Sequence, residues 1–289
     1  MGEFTVPETG FIGAGTVGTA LAVLLSRKGY PVVAVSSRSA ASAENLARQV
    51  QGCRAVNRNQ EVADIARLVF ITTPDDVIDA VASQVEWHPG QSVVHCSGSA
   101  STDILEPARE SGAMTGSIHP LQTFAGVQQA IANLPGSTFA LEAEEPLLST
   151  LKEITRTLEG TPIELKGSDK VLYHAAAVIA CNYLVTLVKL ATDLWQTFSI
   201  PRQQATRALL PLIQGTLNNL ESIGIPQCLT GPIARGDTGT MRKHIEALQK
   251  SAPGVLSTYQ ELGRQTIPIA LAKGKIKEEQ AQEITEILK

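Results

Sequence analysis

GFIGAGTVGTAL, running from Gly10 to Leu21, is the stretch whose reading decides the fold. Gly13, Gly15 and Gly18 stand in the spacing G-x-G-x-x-G. Phe11 and Ile12 before them read as the end of a buried strand, and Thr16 to Lys28 reads as an amphipathic helix carrying Leu21, Leu24 and Leu25. Each glycine has a use at such a junction. The first permits a tight turn, the second leaves room for a pyrophosphate against the backbone, and the third lets helix and strand pack closely. Free N–H groups and the positive end of the helix dipole then face the phosphates. Glycine-rich turns are common, so the spacing alone says little. Strand, turn and helix in the required order make Gly13, Ala14, Gly15, Thr16, Val17 and Gly18 a dinucleotide site.

Working outward, Pro31 to Val35 (PVVAV) is a second strand. A site that prefers NAD carries an acidic residue about 20 positions past the glycines, which binds the ribose hydroxyls. Here the tip reads Ser36, Ser37, Arg38, Ser39, with no Asp or Glu before Glu44. Hydroxyls and a guanidinium suit a ribose 2′-phosphate, so NADP is the expected cofactor. Ser42 to Gln51 reads as a helix and Cys53 to Val56 as a third strand. Arg67 to Thr72, Ser92 to Cys96 and Gly116 to Pro120 follow as strands four to six. Thr138 to Leu141 and Pro162 to Leu165, with a helix from Glu144 to Leu158 between them, extend the sheet. This alternation predicts an α/β fold, a Rossmann-type doubly wound and mainly parallel sheet over residues 1–167. From Gly167 onward the sequence reads almost entirely as helix, roughly Asp169 to Phe198, Pro201 to Ser222, Gly239 to Lys250, Gly254 to Lys273 and Lys277 to Leu288. An all-α domain over 168–289 is therefore expected, directly packed on the first because no flexible linker intervenes.

A chain of 289 residues is long enough for two cores, and 43% hydrophobic with 18% charged residues is an ordinary globular balance. A net charge of −4 gives no basic surface signal, so nucleic acid and anionic membranes are not expected as partners. Cys53, Cys96, Cys181 and Cys228 lie far apart with no C-x-x-C, which argues against a structural metal. The first ten residues lack the basic start and apolar run of a secretion signal, so a cytoplasmic protein is expected. Val171 to Val188 has no formally charged residue and approaches the length of a membrane span, but it contains Tyr173, His174, Asn182 and Tyr183. A buried core helix is the expected state.

Ligands of open α/β sheets gather at the carboxyl ends of the strands. That places Thr72, Thr73 and Pro74 beside the nicotinamide half, and Ser97 and Gly98 in a second small-residue turn near nicotinamide or substrate. Asp75 and Asp76 read as caps of the following helix. His119 at the sixth strand's tip is either a ligand-contacting group or a capped turn residue. Lys170 and His174, four apart, share one helix face. A cation in a first helical turn is disfavoured by the dipole, so Lys170 either meets water or is kept for a ligand, where burial would lower its pKa towards a useful range. Asn182 needs partners if buried, either substrate or a neighbouring helix. In LTGPIARGDTGTM, Leu229 to Met241, Arg235 suits a substrate carboxylate; the same loop also reads as a cap of the next helix.

GFIGAGTVG, TTPDD, HCSGS, GSIHPLQTF, KVLYHAAAVIACNYL and LTGPIARGD together resemble bacterial Rossmann-like proteins with a C-terminal DUF2520 domain. That family is similar in architecture to pyrroline-5-carboxylate reductases, β-hydroxyacid dehydrogenases and ketopantoate reductases. Its helical half is like the C-terminal domain of 6-phosphogluconate dehydrogenase. The resemblance implies an NADP-binding domain followed by a helical domain that commonly builds a homodimer. The hydroxyacid dehydrogenase pattern pairs a catalytic lysine with an asparagine four residues on. Lys170 matches the lysine, but His174 stands in the asparagine's place. The expectation is an NADP(H)-dependent oxidoreductase acting on a C=O or C=N bond of a small, carboxylate-bearing metabolite. Lys170 is the proton donor or polarising group, His174 or His119 assists, and Arg235 clamps the anion, with Asn182 and Ser97 as further substrate contacts. A non-catalytic NADP sensor or scaffold, and an NADP:deazaflavin oxidoreductase, are the alternatives.

Overall fold

A computed structural model of the chain describes residues 6–289. The strands are β1 (Thr9–Ile12), β2 (Val32–Ser36), β3 (Arg54–Val56), β4 (Leu68–Ile71), β5 (Ser92–His95), β6 (Met114–Leu121), β7 (Thr138–Ala143) and β8 (Thr161–Glu164). They form one sheet in the order β3-β2-β1-β4-β5-β6-β7-β8. Every neighbouring pair is parallel except β6 with β7. The order reverses between β1 and β4, and a crevice outside the carboxyl ends is expected there.

Alternation along the strands divides the core in two. Phe11 and Phe70, stacked with ring centroids 5.0 Å apart, face the side covered by Leu21 and Leu25 of the Thr16–Arg27 helix. Their neighbours Ile12, Val69 and Ile71 face the other side, against Val62, Ile78 and Val81. All of these strand residues are essentially fully buried. Each such side chain contributes about 1.5–3 kcal/mol on burial. That explains why apolar runs alone located the strands to within a residue or two.

The chain divides into two compact units, the first ending at Cys181 and the second beginning at Asn182. The expected continuous helix from Asp169 is Lys170–Ala177, then a widened turn at Val178–Asn182, then Tyr183–Gln196. The division falls at this turn, beyond the change of sequence character at Gly167. In the second unit the helices Arg202–Ile223, Thr238–Ser251, Pro253–Ala272 and Glu278–Ile287 follow. A small core there is made by Met241, Ile267, Ala270, Ile284 and Leu288.

One expectation is corrected here. The apolar run from Val171 to Val188 is not a buried core helix: Val171, Leu172, Ile179 and Val185 are each more than 60% exposed. The helix Gly167–Gln196 is long and apolar enough to cross a membrane by length and composition. Hydropathy revealed a side chain's preference for leaving water; it did not reveal whether the same chain supplies a cover.

Candidate active site

The glycine turn has the geometry its spacing demands. Gly13 has φ +114°, its N–H donates to the Ser36 carbonyl at 2.9 Å, and its carbonyl accepts from Thr72 Oγ1 at 2.7 Å. A Cβ on Gly18 would lie 2.3 Å from Thr72 Oγ1 and 2.6 Å from the Gly13 carbonyl oxygen, so this position holds β1, β4 and the helix together. Gly15 is the opposite case. Its Cβ would meet nothing within 4 Å, and it caps the Thr16–Arg27 helix without a side-chain partner for the first-turn N–H groups. Those donors are left for a ligand.

A cleft of about 820 Å³ opens beside this turn. Ile12 to Gly15 line one wall, Thr72, Thr73 and Pro74 another, and Ser37, Arg38, Asn57 and Arg58 the end beyond β2 and β3. Ser36 is buried and donates its hydroxyl to Asn59 Oδ1 at 2.8 Å, so it braces the β2 tip. Ser39 accepts from the Ser42 N–H at 3.3 Å and caps the Ala40–Ala47 helix. Ser37, Arg38 and Ser39 all line the cleft. Arg58, its Nε 3.2 Å from Glu61 Oε1 and its side chain largely exposed, adds a second guanidinium. Sequence reasoning missed Arg58. Its position just past β3, at a carboxyl end, was the available signal. Among the described residues, Thr73 Oγ1 is buried with no hydrogen-bond partner. An open Gly15, an unpartnered hydroxyl among the described residues and Arg38 at a β2 tip without a carboxylate fit an extended nucleotide with a phosphorylated ribose.

Across the sheet, β4, β5 and β6 bring a polar cluster together about 10–15 Å from the glycine turn, two to three strand spacings away. β5 ends at His95, opposite Ser117, whereas β6 continues to Leu121 and so carries His119 past the β5 tip. His95 is fully buried. Its Nδ1 accepts from the Ser97 N–H at 3.1 Å, and its Nε2 donates to the Ser101 carbonyl at 3.2 Å. Burial, with Lys170 nearby, pulls its pKa down to about 3, so the neutral ring serves as a brace for the Ser97–Ser101 turn. Ser97 donates to Asp75 Oδ2 at 2.6 Å and accepts from the Ala100 N–H at 3.0 Å. Its hydroxyl is thus already used within the turn. Asp75 does not cap its own turn as expected; its carboxylate ties the segment after β4 to the segment after β5.

Gly98 brings two histidines together. A Cβ there would lie 2.8 Å from His119 Nε2 and 2.7 Å from His174 Cδ2. His119 Nδ1 is 2.8 Å from Tyr173 Oη, a residue the sequence reading did not single out. Burial and the neighbouring His174 and Lys170 lower the His119 pKa to about 4, and burial raises that of Tyr173 to about 12.

Lys170 is only 1% exposed. Its Nζ donates to Ser117 Oγ at 2.6 Å and lies 3.5 Å from Glu142 Oε2. Ser117 and Glu142 face each other across the antiparallel β6–β7 pair, so the lysine seals a cross-strand pair. Glu142 also accepts from Thr102 Oγ1 at 3.1 Å and from the Thr102 N–H at 3.2 Å. Desolvation lowers the Lys170 pKa, with Glu142 opposing the shift. The Glu142 charge offsets the unfavourable dipole of the first helical turn.

The other two expected site residues belong to the second unit. Asn182 is exposed at the end of the widened turn. Arg235 ends the short Pro232–Arg235 helix, is mostly exposed and lies 3.7 Å from Asp237 Oδ2. Asp237 caps the Thr238–Ser251 helix by accepting from the Thr240 N–H at 3.0 Å.

Residues 5–120 match the family described as a Rossmann-like domain, and residues 137–266 match the domain of unknown function DUF2520. No curated protein matches the sequence. Among solved structures, protein BF3122 from Bacteroides fragilis, assigned as an NADP oxidoreductase, is 26% identical with a TM-score of 0.73, over 91% of this chain and 98% of that one. Protein TM1727 from Thermotoga maritima is 27% identical with a TM-score of 0.74, over 91% and 99%. The reductive aminase from Aspergillus terreus, solved with NADPH and ethyl-5-oxohexanoate, shares the fold at 15% identity and a TM-score of 0.62, over 98% and 93%. The two matches follow one another along the chain in the order that its sequence motifs implied.

Proposed function

We propose that the protein is an NADP(H)-dependent oxidoreductase that reduces a C=O or C=N bond of a small, carboxylate-bearing metabolite. The observation that carries this reading is one cleft in which an open Gly15 turn meets a β2 tip holding Arg38 and no carboxylate. NADPH bound there would supply the hydride. The chain's part is to hold and orient. First-turn N–H groups take the pyrophosphate, and Arg38 with Arg58 takes the 2′-phosphate. Thr73 Oγ1 supplies a buried donor beside the nicotinamide half. The polar cluster at the tips of β5 and β6 provides a proton. Arg235 is the residue assigned to the substrate carboxylate. The assignment of BF3122 as an NADP oxidoreductase and the NADPH held by the reductive aminase support the reading.

Two copies associating through the exposed apolar side chains of the Tyr183–Gln196 and Arg202–Ile223 helices complete the proposal, since exposed apolar surface of this kind marks association. The test is NADPH oxidation, followed at 340 nm, with a panel of 2-oxo acids and cyclic imines. Turnover of at least one compound is expected. Tight NADPH binding with no turnover of any would refute the enzyme and favour a nucleotide-binding sensor.

A further inference from the structure

We infer that Tyr173, not Lys170, delivers the proton to the substrate, and that His119 holds the phenol and restores its proton. This rests on the reductase reading above. Lys170 is badly placed for proton delivery, being enclosed and bonded to Ser117 and Glu142. Losing its proton would strand the Glu142 carboxylate without its counter-ion. Tyr173 lies three residues on, in the next turn of the same helix. It is half-buried, and its Oη is 2.8 Å from His119 Nδ1.

The cluster is fixed in place. The His119 and Tyr173 rings meet edge to face at 5.6 Å, and His119 and His174 do so at 6.1 Å. The Gly98 backbone closes over both imidazoles at a distance that no side chain would allow. A rigid donor on a helix, supported by a second group, is the arrangement that proton transfer needs.

NADPH held in the cleft would supply the hydride for the new C–H bond at the carbonyl or imine carbon, and the π electrons would go to oxygen or nitrogen. The Tyr173 Oη–H bond breaks as the new O–H or N–H bond forms. The phenolate takes the proton of His119 Nδ1, Nε2 gains one from solvent so that the ring stays neutral, and exchange of the ring protons with solvent between turnovers restores the Nδ1–H form. A neutral imidazole and a protonated phenol are the states that burial favours at pH 7.

The experiment compares the full-length wild type with Tyr173→Phe in two readouts. Steady-state NADPH oxidation with pyruvate, 1-pyrroline and their homologues is expected to show kcat lowered about 100-fold or more, with KM and the NADPH Kd within about threefold. Histidine-selective 15N NMR is expected to show the His119 Nδ1 signal moving when the phenol oxygen is removed, with or without substrate. A variant with wild-type turnover, or a His119 signal indifferent to the substitution, overturns the inference while leaving the reductase reading intact. A wild type that turns over no compound overturns the reductase reading, and this inference with it.

Discussion

Adding one methyl group at Gly15 and one at Gly18 should break the protein in different ways. At Gly18 the new Cβ would lie 2.6 Å from the Gly13 carbonyl oxygen and 2.3 Å from Thr72 Oγ1. The threonine can rotate away, but only by giving up its 2.7 Å bond to that carbonyl, a loss of about 1 kcal/mol. The carbonyl itself belongs to the backbone and cannot yield. Overpacking of this kind costs about 1–3 kcal/mol, and the better helix propensity of alanine returns at most about 1 kcal/mol. Gly18→Ala should therefore lose about 1–3 kcal/mol of stability.

At Gly15 the Cβ meets nothing within 4 Å and φ is −78°, so only the weaker N-cap preference of alanine acts against the fold, about 0.5–1 kcal/mol. That same empty space is the pyrophosphate's. A methyl group there should weaken NADPH about 10- to 100-fold, or about 1.4–2.8 kcal/mol. Urea unfolding and calorimetric titration of both variants separate the effects. Wild-type NADPH affinity in Gly15→Ala, or wild-type stability in Gly18→Ala, would refute the assignment of the three glycines.

Lys170→Met leaves Glu142 without its partner and should cost about 2–4 kcal/mol in urea unfolding, below the full loss of a buried pair because Glu142 keeps Thr102. Adding Glu142→Gln should restore part of it, and a fully stable single variant would contradict the cross-strand seal. His95 and His119 are held at about 3 and about 4 against an ordinary 6.5, so below pH 6.5 the folded state binds fewer protons than the unfolded one. Stability should fall as pH drops from about 6.5 and keep falling to about 4 for His119 and about 3 for His95. The urea midpoint should decline less steeply in His95→Asn over that range, and an equal decline would contradict the buried neutral ring. Val185→Glu places a charge in the exposed apolar surface and should convert a sedimenting dimer to monomer; a wild type already monomeric at micromolar concentration would refute the dimer.

Local signals carried most of the fold. Phe11 and Ile12, Leu68 to Ile71, and Val93 and Val94 are runs whose burial follows from their composition, and the glycine spacing fixes its own turn. The antiparallel turn of β7 and the facing of Ser117 with Glu142 depend on pairing between distant segments, which no local pattern encodes. Hence Lys170 was legible as an unusual cation, but its partners were not. Tyr173 was hidden for the same reason, because an aromatic residue in an apolar helix reads as packing until a strand tip is seen to bring His119 to its hydroxyl. Arg38 was singled out because the nucleotide fingerprint points to its position, whereas Arg58, which lines the same cleft, follows a strand the fingerprint does not address. The apolar helix was read correctly as a helix and wrongly as buried, since exposure depends on what covers it.

The proposed chemistry depends on the cleft gripping a nucleotide with a phosphorylated ribose. Calorimetric titration of the wild type with NADPH and with NADH at the same ionic strength tests it most directly, with Arg38→Ala as the control. NADPH should bind at least tenfold tighter than NADH, and the preference should collapse when the guanidinium is removed. Equal affinity for the two nucleotides, or no heat with either, would contradict it.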